Sequence, residues 1–516
     1  MKMKIKYKVI LGAVFGASLI LGSCSESFLD VKPTGKTTES EFYQTDDEAF
    51  MALIAAYDIL QLYSVLSFDG PALTRVLPSD ESVAAGGGPG DLVHFQEFDD
   101  YSYTSTNKAI RIAYEVFYFG VYRANLVVDH VEPTNANRKQ IIAEAKVMRA
   151  HFYFELVTMF GGVPLHKEVP GADSYAKARA TSEEVYAFIE QDLIEAIPDL
   201  SHKSALGGDD QFRVSVETAE ALLGKAYLYQ EKWSEAASAF GDLISKEGSE
   251  VGLDPDYAHL WTPDGRWGSE TLLNISFSSN ENHVDGGDVW WESSRRKYEA
   301  NYDVQLMGPR VEHYDLGSSG LMYGWGFNSP TAAIYDAFVA AGDTSRKKVT
   351  LMSEDELVNQ YGGSVQPDAF GFHGSIRLKY ATYTDQTSFE ADPVMNYANH
   401  YRLLRYADVL LMAAEAYYRD GNENQARIEL NKVRERAALH AETASGDALF
   451  QAIVLERQIE LAFEGQRFFD LVRWGLADEV LGPDGFVAGI HELFPIPQEE
   501  IDANPAINPE DQNPGW

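Results

Sequence analysis

Two stretches of equal length decide the fold of this chain: LGKAYLYQEKWSEAASAF at residues 223–240 and AAEAYYRDGNENQARIEL at residues 413–430. In each, a small residue (Gly224 or Ala414) is followed by a tyrosine three positions later and an alanine twelve positions later. Apolar residues recur at helical spacing on both sides of a short polar turn. Small side chains let two helices approach closely, and the tyrosine fills the groove beside them. The pattern predicts helical hairpins over residues 216–245 and 406–438.

The offsets shared by the two stretches are the spacing of a tetratricopeptide (TPR) hairpin. Two unrelated amphipathic hairpins are the alternative. Apolar residues at helical spacing predict further helices over residues 46–63, 108–131, 138–160, 182–197 and 448–474. We therefore expect a mostly α fold.

The two hairpins are separated by roughly 160 residues that are rich in Gly, Asn, Asp, Ser and aromatic residues. A simple solenoid stacks its repeats without such a gap, and little of this stretch has helical periodicity. The sequence predicts a helical scaffold that carries a large loop-rich insertion at about residues 250–400. Binding usually occurs on loops held by a rigid frame, so this insertion is the expected ligand-binding region.

The N-terminus has the pattern of an export signal. Four lysines among the first eight residues precede an apolar stretch at residues 9–21, which is too short to span a bilayer as a helix. Gly22 and Ser23 then precede Cys24, the only cysteine of the chain. This arrangement resembles a bacterial lipobox and predicts a signal peptide at residues 1–23 and lipid attachment at Cys24. An ordinary signal peptide with an incidental cysteine is the alternative.

Composition narrows the possible partners. The formal net charge is −37, which disfavours nucleic acid and anionic lipid as partners. The hydrophobic content of 45% is typical of a globular protein, so the acidity is expected on the surface. No Ser/Gly/Pro tract or long run of like charge follows residue 45, and we predict a single domain over residues 24–516.

Several longer motifs carry a family resemblance. They are EAKVMRA at 144–150, FGGVPL at 160–165, LLRYADVLL at 403–411, ERQIELAFEGQRFFDLVRW at 456–474, FPIP at 494–497 and NPGW at 513–516. Together with the lipobox, they closely resemble the SusD/RagB family of outer-membrane nutrient-binding lipoproteins. The resemblance extends from about Phe28 to the C-terminus.

The resemblance implies a fold and a role. It implies a mostly α-helical SusD-like fold with TPR-like hairpins on one side, docked on a SusC-like TonB-dependent transporter. It also implies a lipid-anchored, surface-exposed protein that captures a glycan oligomer and has no catalytic step. A TPR-type adaptor lipoprotein that binds only protein is the alternative, and a tethered hydrolase ranks third.

Charged residues of both signs recur through these C-terminal motifs. Arg405 and Asp408 occur in the first, and Glu456, Arg457 and Asp470 in the second. Their helical spacing favours ion pairs that hold the C-terminal helices together over a role in ligand binding.

A glycan site needs flat aromatic faces flanked by polar side chains. Five of the eight tryptophans fall within the insertion, and core packing does not need tryptophan in Gly-rich loops. The predicted ligand-binding residues are Trp290, Trp291, Arg295, Tyr323, Trp325 and Trp267. The segment around Trp261 and Trp267 contains a Pro-Asp-Gly turn, which favours a structural corner there. An early loop, residues 79–95, occupies a region that often contributes to the family's ligand site.

Other chemistry finds no support in the sequence. The metalloprotease, nucleophile-elbow, P-loop and dinucleotide-binding motifs are absent. The histidines show no metal-ligand spacing, so neither a cofactor nor a metal is predicted. The class of glycan stays open between a neutral glucan or mannan and an anionic polysaccharide.

Overall fold

The computed structural model describes residues 42–65, 70–171, 173–279, 301, 303–388 and 396–516. Most of the regular structure is helical. The α-helices are α1 (Asp46–Tyr57), α2 (Leu62–Val65), α3 (Pro71–Val76), α4 (Val93–Gln96), α5 (Lys108–His130), α6 (Ala136–Phe160), α7 (Ser182–Ala196), α8 (Val216–Tyr229), α9 (Trp233–Ile244), α10 (Asp303–Met307), α11 (Ala332–Ala341), α12 (Thr344–Thr350), α13 (Glu354–Tyr361), α14 (Tyr406–Arg419), α15 (Glu423–Arg436), α16 (Asp447–Glu460), α17 (Arg467–Arg473), α18 (Ala477–Leu481) and α19 (Gln498–Ala503).

The strands are short and pair antiparallel in twos. They are β1 (Ser82–Val83), β2 (Thr271–Ile275), β3 (Tyr314–Asp315), β4 (Ser329–Pro330), β5 (Leu351–Ser353), β6 (Ser364–Val365), β7 (Ser375–Arg377) and β8 (Tyr401–Arg405). The pairs are β1 with β4, β2 with β8, β3 with β6 and β5 with β7. No helix within the described ranges is both long and apolar enough to cross a membrane.

The two predicted hairpins are confirmed as α8–α9 and α14–α15. Although they are far apart in sequence, they are neighbours in space, because α9 packs against α14. Lys432 of α15 also forms an ion pair with Glu247, just after α9, at 2.7 Å. The helical scaffold is therefore continuous across the insertion.

The small residue of the first hairpin allows the close helix approach that its pattern predicts. A Cβ atom on Gly224 would lie 2.4 Å from Cε1 of Phe240, which comes from α9. Real Cβ atoms do not approach other atoms so closely, so the Phe240 ring occupies the space that a side chain at Gly224 would need.

We expect Gly224→Ala to lower the free energy of unfolding. Overpacking against Phe240 costs about 1–3 kcal/mol, and the higher helix propensity of alanine offsets roughly 1 kcal/mol of this cost. The free energy of unfolding in urea measures this effect. Gly207→Ala is the matched control, because nothing lies within 4 Å of a Cβ atom added there. A Gly224→Ala variant that is more stable than wild type by the full helical gain of roughly 1 kcal/mol would contradict close packing of α8 on α9.

The insertion contains more helix than the sequence predicts. The structure places α10, α11, α12 and α13 between residues 303 and 361. The expectation of little helix was wrong because these helices span only five to ten residues each, too few for a clear apolar period. Leu357 of α13 belongs to a small hydrophobic cluster with Leu316 and Ile376, whereas Leu306 and Met307 of α10 belong to the main core.

The two ends of the insertion are joined by a pair of strands and by buried ion pairs. β2, near its start, pairs with β8, at its end. Arg405, the last residue of β8, donates to Glu270 at 2.8 Å and to Glu464 at 2.7 Å, and it is also paired with Glu460. Arg405 and its partners are almost completely buried, so these ion pairs fix the insertion to α16 and the turn that follows it.

The predicted ion pairs between C-terminal helices are confirmed. Arg457 of α16 binds Asp470 of α17 at 2.7 Å and Asp408 of α14 at 2.8 Å. Arg473 in turn pairs with Glu415 of α14. These motif residues connect three helices, and all of them except the partly buried Arg473 are buried, which accounts for them without a ligand.

Candidate functional site

Two loops that are far apart in the sequence meet in the structure, and the second of them carries the predicted residues Tyr323 and Trp325. They are the early loop (residues 79–95) and the stretch of residues 320–328, which we call the aromatic loop. The Gly86 N–H donates to the Gly326 carbonyl at 3.0 Å. His313 Nε2 lies 3.1 Å from the Gly86 carbonyl oxygen. The loops therefore form one continuous surface.

This junction requires glycine at position 86. Gly86 has a φ of +62°, and a Cβ atom there would lie 2.5 Å from the Phe327 ring. Both the left-handed backbone and the missing side chain let the early loop lie directly on the aromatic loop.

Arg310 forms hydrogen bonds with both loops at the junction. Its Nη1 donates to Asp91 Oδ2 at 3.2 Å and to the Trp325 carbonyl at 3.4 Å. Asp91 Oδ2 also accepts from the Gly87 N–H at 2.8 Å. The contacts fix both loops without a ligand, so a ligand would meet a largely preformed surface.

The aromatic loop carries two partly exposed rings. Tyr323 is 36% exposed, and its hydroxyl oxygen accepts from the Leu316 N–H at 3.2 Å, which orients the ring. Trp325 is half-buried and packs against the main hydrophobic core. Partly exposed, oriented rings of this kind can stack on the apolar C–H face of a sugar.

A cleft with a volume of about 20 Å³, room for about one water molecule, lies at the junction and is bounded by Gly86, Gly326 and Phe370. Asn328 and Arg377 also line it, and they are 2% and 3% exposed. Neither Asn328 Oδ1 nor Arg377 Nε has a hydrogen-bond partner among the described residues. Buried polar atoms are rarely left unpaired, so the cleft offers one acceptor and one donor to a ligand or water.

Met307 holds both residues in place. Asn328 Nδ2 lies 3.3 Å from Met307 Sδ, and Arg377 Nη2 donates to the Met307 carbonyl at 2.9 Å. Burial lowers the pKa of Arg377 to about 10, a shift that the Asp303 carboxylate opposes. The guanidinium therefore stays charged at neutral pH. A donor beside an acceptor complements a hydroxyl group, which can accept from one and donate to the other.

The predicted site residues separate into three groups. Tyr323 and Trp325 lie on the aromatic loop, which contacts the early loop through Gly326, but neither lines the cleft. Trp267 lines a different cavity, whose walls contain no residue of either loop. Trp290, Trp291 and Arg295, like the predicted lipidation site Cys24, lie outside the described residues, and they stay predictions.

The expectation that tryptophans of the insertion are exposed is wrong for Trp261. It is 7% exposed and packs edge-on against Tyr380, with ring centroids 5.1 Å apart. Lys379 Nζ and the Arg402 guanidinium lie 4.3 Å and 4.8 Å from its ring centroid. Trp261 therefore shields buried cations, and the turn that follows it is the structural corner that the Pro-Asp-Gly sequence favours.

The sequence analysis did not identify Arg310, His313 and Arg377. Arg377 comes from β7 and reaches the cleft only through the tertiary fold, so no local signal marks it. Arg310 and His313 precede the aromatic loop, and their contacts with Asp91 and Gly86 of the early loop arise only in the tertiary fold.

Within the described part of the chain, one group of side chains has an arrangement that could hold a metal ion. His202, Glu217 and Glu250 have candidate ligand atoms within 4.8 Å of one another. His202 Nδ1 lies 2.6 Å from Glu217 Oε1, and Glu250 accepts from both the N–H and the hydroxyl of Ser204. Hydrogen bonds therefore account for the cluster.

Comparison with known proteins agrees with this architecture. A model of the SusD family matches residues 352–490, and a model described as starch-binding associating with outer membrane matches residues 27–228. SusD-like protein P2 of Formosa agariphila is 27% identical over 99% of this chain and 100% of that protein.

Solved structures show the same fold. A laminarin binding SusD-like protein is 32% identical with a TM-score of 0.79, covering 91% of this chain and 99% of that one. Surface glycan-binding protein A from Bacteroides thetaiotaomicron, in complex with laminarihexaose, has a TM-score of 0.78 at 23% identity, covering 91% and 100% of the two chains. The resemblance drawn from the sequence motifs and the mostly α fold are both confirmed, and this chain belongs to the SusD family.

Proposed function

We propose that this protein is a non-enzymatic, surface-exposed lipoprotein that captures a glycan at the junction of the early and aromatic loops. The observation that carries the proposal is that the loop bearing the partly exposed rings of Tyr323 and Trp325 also contributes Gly326 and Asn328 to a cleft with unpaired buried polar atoms. Sugars present apolar faces and hydroxyl rims, and this surface offers a partner for each.

A neutral glucan of the laminarin type is the ligand class that we favour. The solved structure that is 32% identical is described as laminarin binding, which supports this choice. The chain's charge of −37 disfavours a polyanion, and the donor and acceptor in the cleft match a hydroxyl better than a carboxylate.

Affinity gel electrophoresis tests the proposal with the chain that begins after Cys24. We expect laminarin in the gel to retard the protein and an acidic polysaccharide such as alginate to leave it unretarded. Bovine serum albumin in the same gels controls for sieving. Retardation only by acidic polysaccharides would contradict the ligand class, and no retardation by any glycan would favour the protein-only adaptor.

We further propose that lipid on Cys24 anchors the protein at the outer membrane. Two or three acyl chains are expected to hold it there almost permanently, because each buried CH₂ group contributes about 0.8 kcal/mol. Cells fed labelled palmitate should label the wild-type protein, whereas Cys24→Ser should be unlabelled and recovered in the soluble fraction. Labelling that survives in Cys24→Ser would contradict the assignment.

The captured glycan is proposed to pass to a SusC-like TonB-dependent transporter. Membership of the family and the continuous helical scaffold support this role, since the scaffold leaves the loops on the insertion free to hold ligand. Co-purification of a barrel transporter with the wild-type protein from detergent-solubilised membranes would support this partnership.

A further inference from the structure

Three side chains meet at the end of the α8–α9 hairpin where α8 begins and α9 ends. His202 lies in the segment that leads into α8, Glu217 is the second residue of α8, and Glu250 follows α9. Their candidate ligand atoms lie within 4.8 Å of one another. Three segments of the chain therefore bring one imidazole and two carboxylates together.

Backbone hydrogen bonds hold both carboxylates in place. The Lys203 N–H donates to Glu217 Oε2 at 2.9 Å. The Ser204 N–H donates to Glu250 Oε2 at 2.8 Å. Bonds of this kind orient the carboxylate ligands of metal ions. The Oε1 atoms contact groups that are free to turn away, which are the His202 ring and the Ser204 hydroxyl.

These hydrogen bonds do not compensate the charge of the cluster. Glu217 is fully buried, and its one ion-pair partner among the described residues is His202, whose imidazole is charged only when protonated. Glu250 has no lysine or arginine partner within the described ranges. The Lys203 ammonium donates to the Thr271 carbonyl instead. Two carboxylates thus lie close together without a permanent cation in contact with them.

Two other fully buried carboxylates of the scaffold do have such a cation. Glu144 binds Arg213 at 2.6 Å, and Glu456 binds Arg434 at 2.8 Å. Buried charges in proteins are paired or bind metal ions, because an isolated charge is costly to remove from water. Glu217 has the burial of Glu144 without its guanidinium group, so a bound cation would supply the missing charge.

The ligand types indicate which cation fits. Ca²⁺ takes about six to eight oxygen ligands, and Mg²⁺ also prefers oxygen. An imidazole nitrogen with carboxylate oxygens suits Zn²⁺ and related transition-metal ions, which bind such ligands at about 2.0–2.2 Å. Ligand atoms on one tetrahedral ion lie about 3.3 Å apart, whereas His202 Nδ1 lies 2.6 Å from Glu217 Oε1. The His202 side chain is 53% exposed, so its ring has room to turn and admit the ion.

From this geometry we propose that His202, Glu217 and Glu250 bind one divalent transition-metal ion of the zinc type, with water completing its coordination. The ion joins the start of α8 to the loop after α9 and fixes the first hairpin at its open end. The inference goes beyond glycan capture and rests on residues outside both loops.

Isothermal titration of the chain that begins after Cys24, stripped of metal by a chelator and dialysed, tests it with ZnCl₂ as the probe. This chain contains no cysteine, so zinc cannot bind a thiol. We expect one saturable site for zinc and at least tenfold weaker binding of CaCl₂ and MgCl₂. Glu217→Gln and Glu250→Gln keep the shape of each side chain. Each should weaken zinc binding at least tenfold, since loss of outer-shell partners alone commonly costs about 10–100-fold.

His259→Ala is the matched control. His259 Nδ1 lies 2.6 Å from Asp254 Oδ2, so these residues form a similar pair. Within the part of the chain that the structure describes, no third ligand joins that pair. The control should bind zinc as wild type does, whereas His202→Ala should bind it at least tenfold more weakly.

Melting temperatures give a second measurement, because an ion that binds only the folded chain raises its melting temperature. Zinc should raise that of wild type and of His259→Ala, but not that of Glu217→Gln. Circular dichroism establishes that each variant is folded.

Equally tight zinc binding by wild type and by folded Glu217→Gln and Glu250→Gln would overturn the site, because the ion would then bind elsewhere. The absence of saturable zinc binding by wild type would also overturn it. Tighter binding of calcium than of zinc would overturn the assignment of the ion.

Discussion

Replacement of Arg405 by methionine is expected to lower the free energy of unfolding by about 3–5 kcal/mol, because it leaves buried carboxylates without their cation. Arg405 binds Glu270, Glu460 and Glu464, and all four side chains are at most 4% exposed. Methionine keeps most of the side-chain volume of arginine. The loss of stability therefore reports the removal of a charge and its hydrogen bonds more than a change in packing. Urea denaturation followed by circular dichroism measures it.

The electrostatics of Glu460 show why the loss should be large. Burial alone would raise the pKa of this carboxyl, but Arg436, Arg405 and Arg346 hold it well below its ordinary value. Glu460 is therefore a buried anion, and it depends on these three guanidinium groups for its stability.

The matched control is Arg427→Met. Arg427 pairs with Glu423 at 3.3 Å on the surface of α15, with side chains 23% and 34% exposed. Surface pairs of this kind contribute at most about 1 kcal/mol, so this variant should unfold almost as wild type does. Equal losses in the two variants would show that Arg405 is not the centre of a buried network.

Tyr323→Ala/Trp325→Ala is expected to weaken binding of laminarihexaose about 30-fold or more. Buried aromatic anchors of an interface commonly contribute 2 kcal/mol or more, and about 1.4 kcal/mol corresponds to a tenfold change in affinity. Isothermal titration of the chain that begins after Cys24 measures the change.

Tyr122→Ala controls for the loss of an exposed ring elsewhere. Tyr122 is 43% exposed on α5, outside both loops, and its removal should leave affinity unchanged. If the double variant is folded and binds as wild type does, the aromatic loop is not the principal site.

The helical hairpins could be predicted because their signal is local and repeated. Gly224 and Tyr227, with their counterparts Ala414 and Tyr417, have the same offsets, and packing between neighbouring helices depends on those offsets. The ion pairs of Arg457 and its neighbours could also be predicted, since opposite charges recur at helical spacing.

The candidate site could be predicted only in part. The glycine-rich and aromatic composition of residues 320–328 indicated a binding loop. The contact of Gly86 with Gly326, however, joins segments more than two hundred residues apart. The cleft also depends on Arg377, from a strand of three residues in a region with little periodicity, so only the tertiary structure shows it.

The tryptophan content of the insertion did not by itself distinguish buried tryptophans from those that line a cavity. Trp261 and Trp267 are six residues apart in the same turn-rich segment, yet one is buried against cations and the other lines a cavity away from the loop junction. Flanking sequence does not distinguish them, because the buried cations beside Trp261 come from residues 379–405.

A crystal structure of the chain that begins after Cys24, in complex with laminarihexaose, tests the central claim most directly. We predict a sugar ring stacked on Tyr323 or Trp325, with a hydroxyl group within hydrogen-bond distance of Asn328 Oδ1 or Arg377 Nε. An oligosaccharide bound elsewhere, without contact to the early loop or the aromatic loop, would contradict the account.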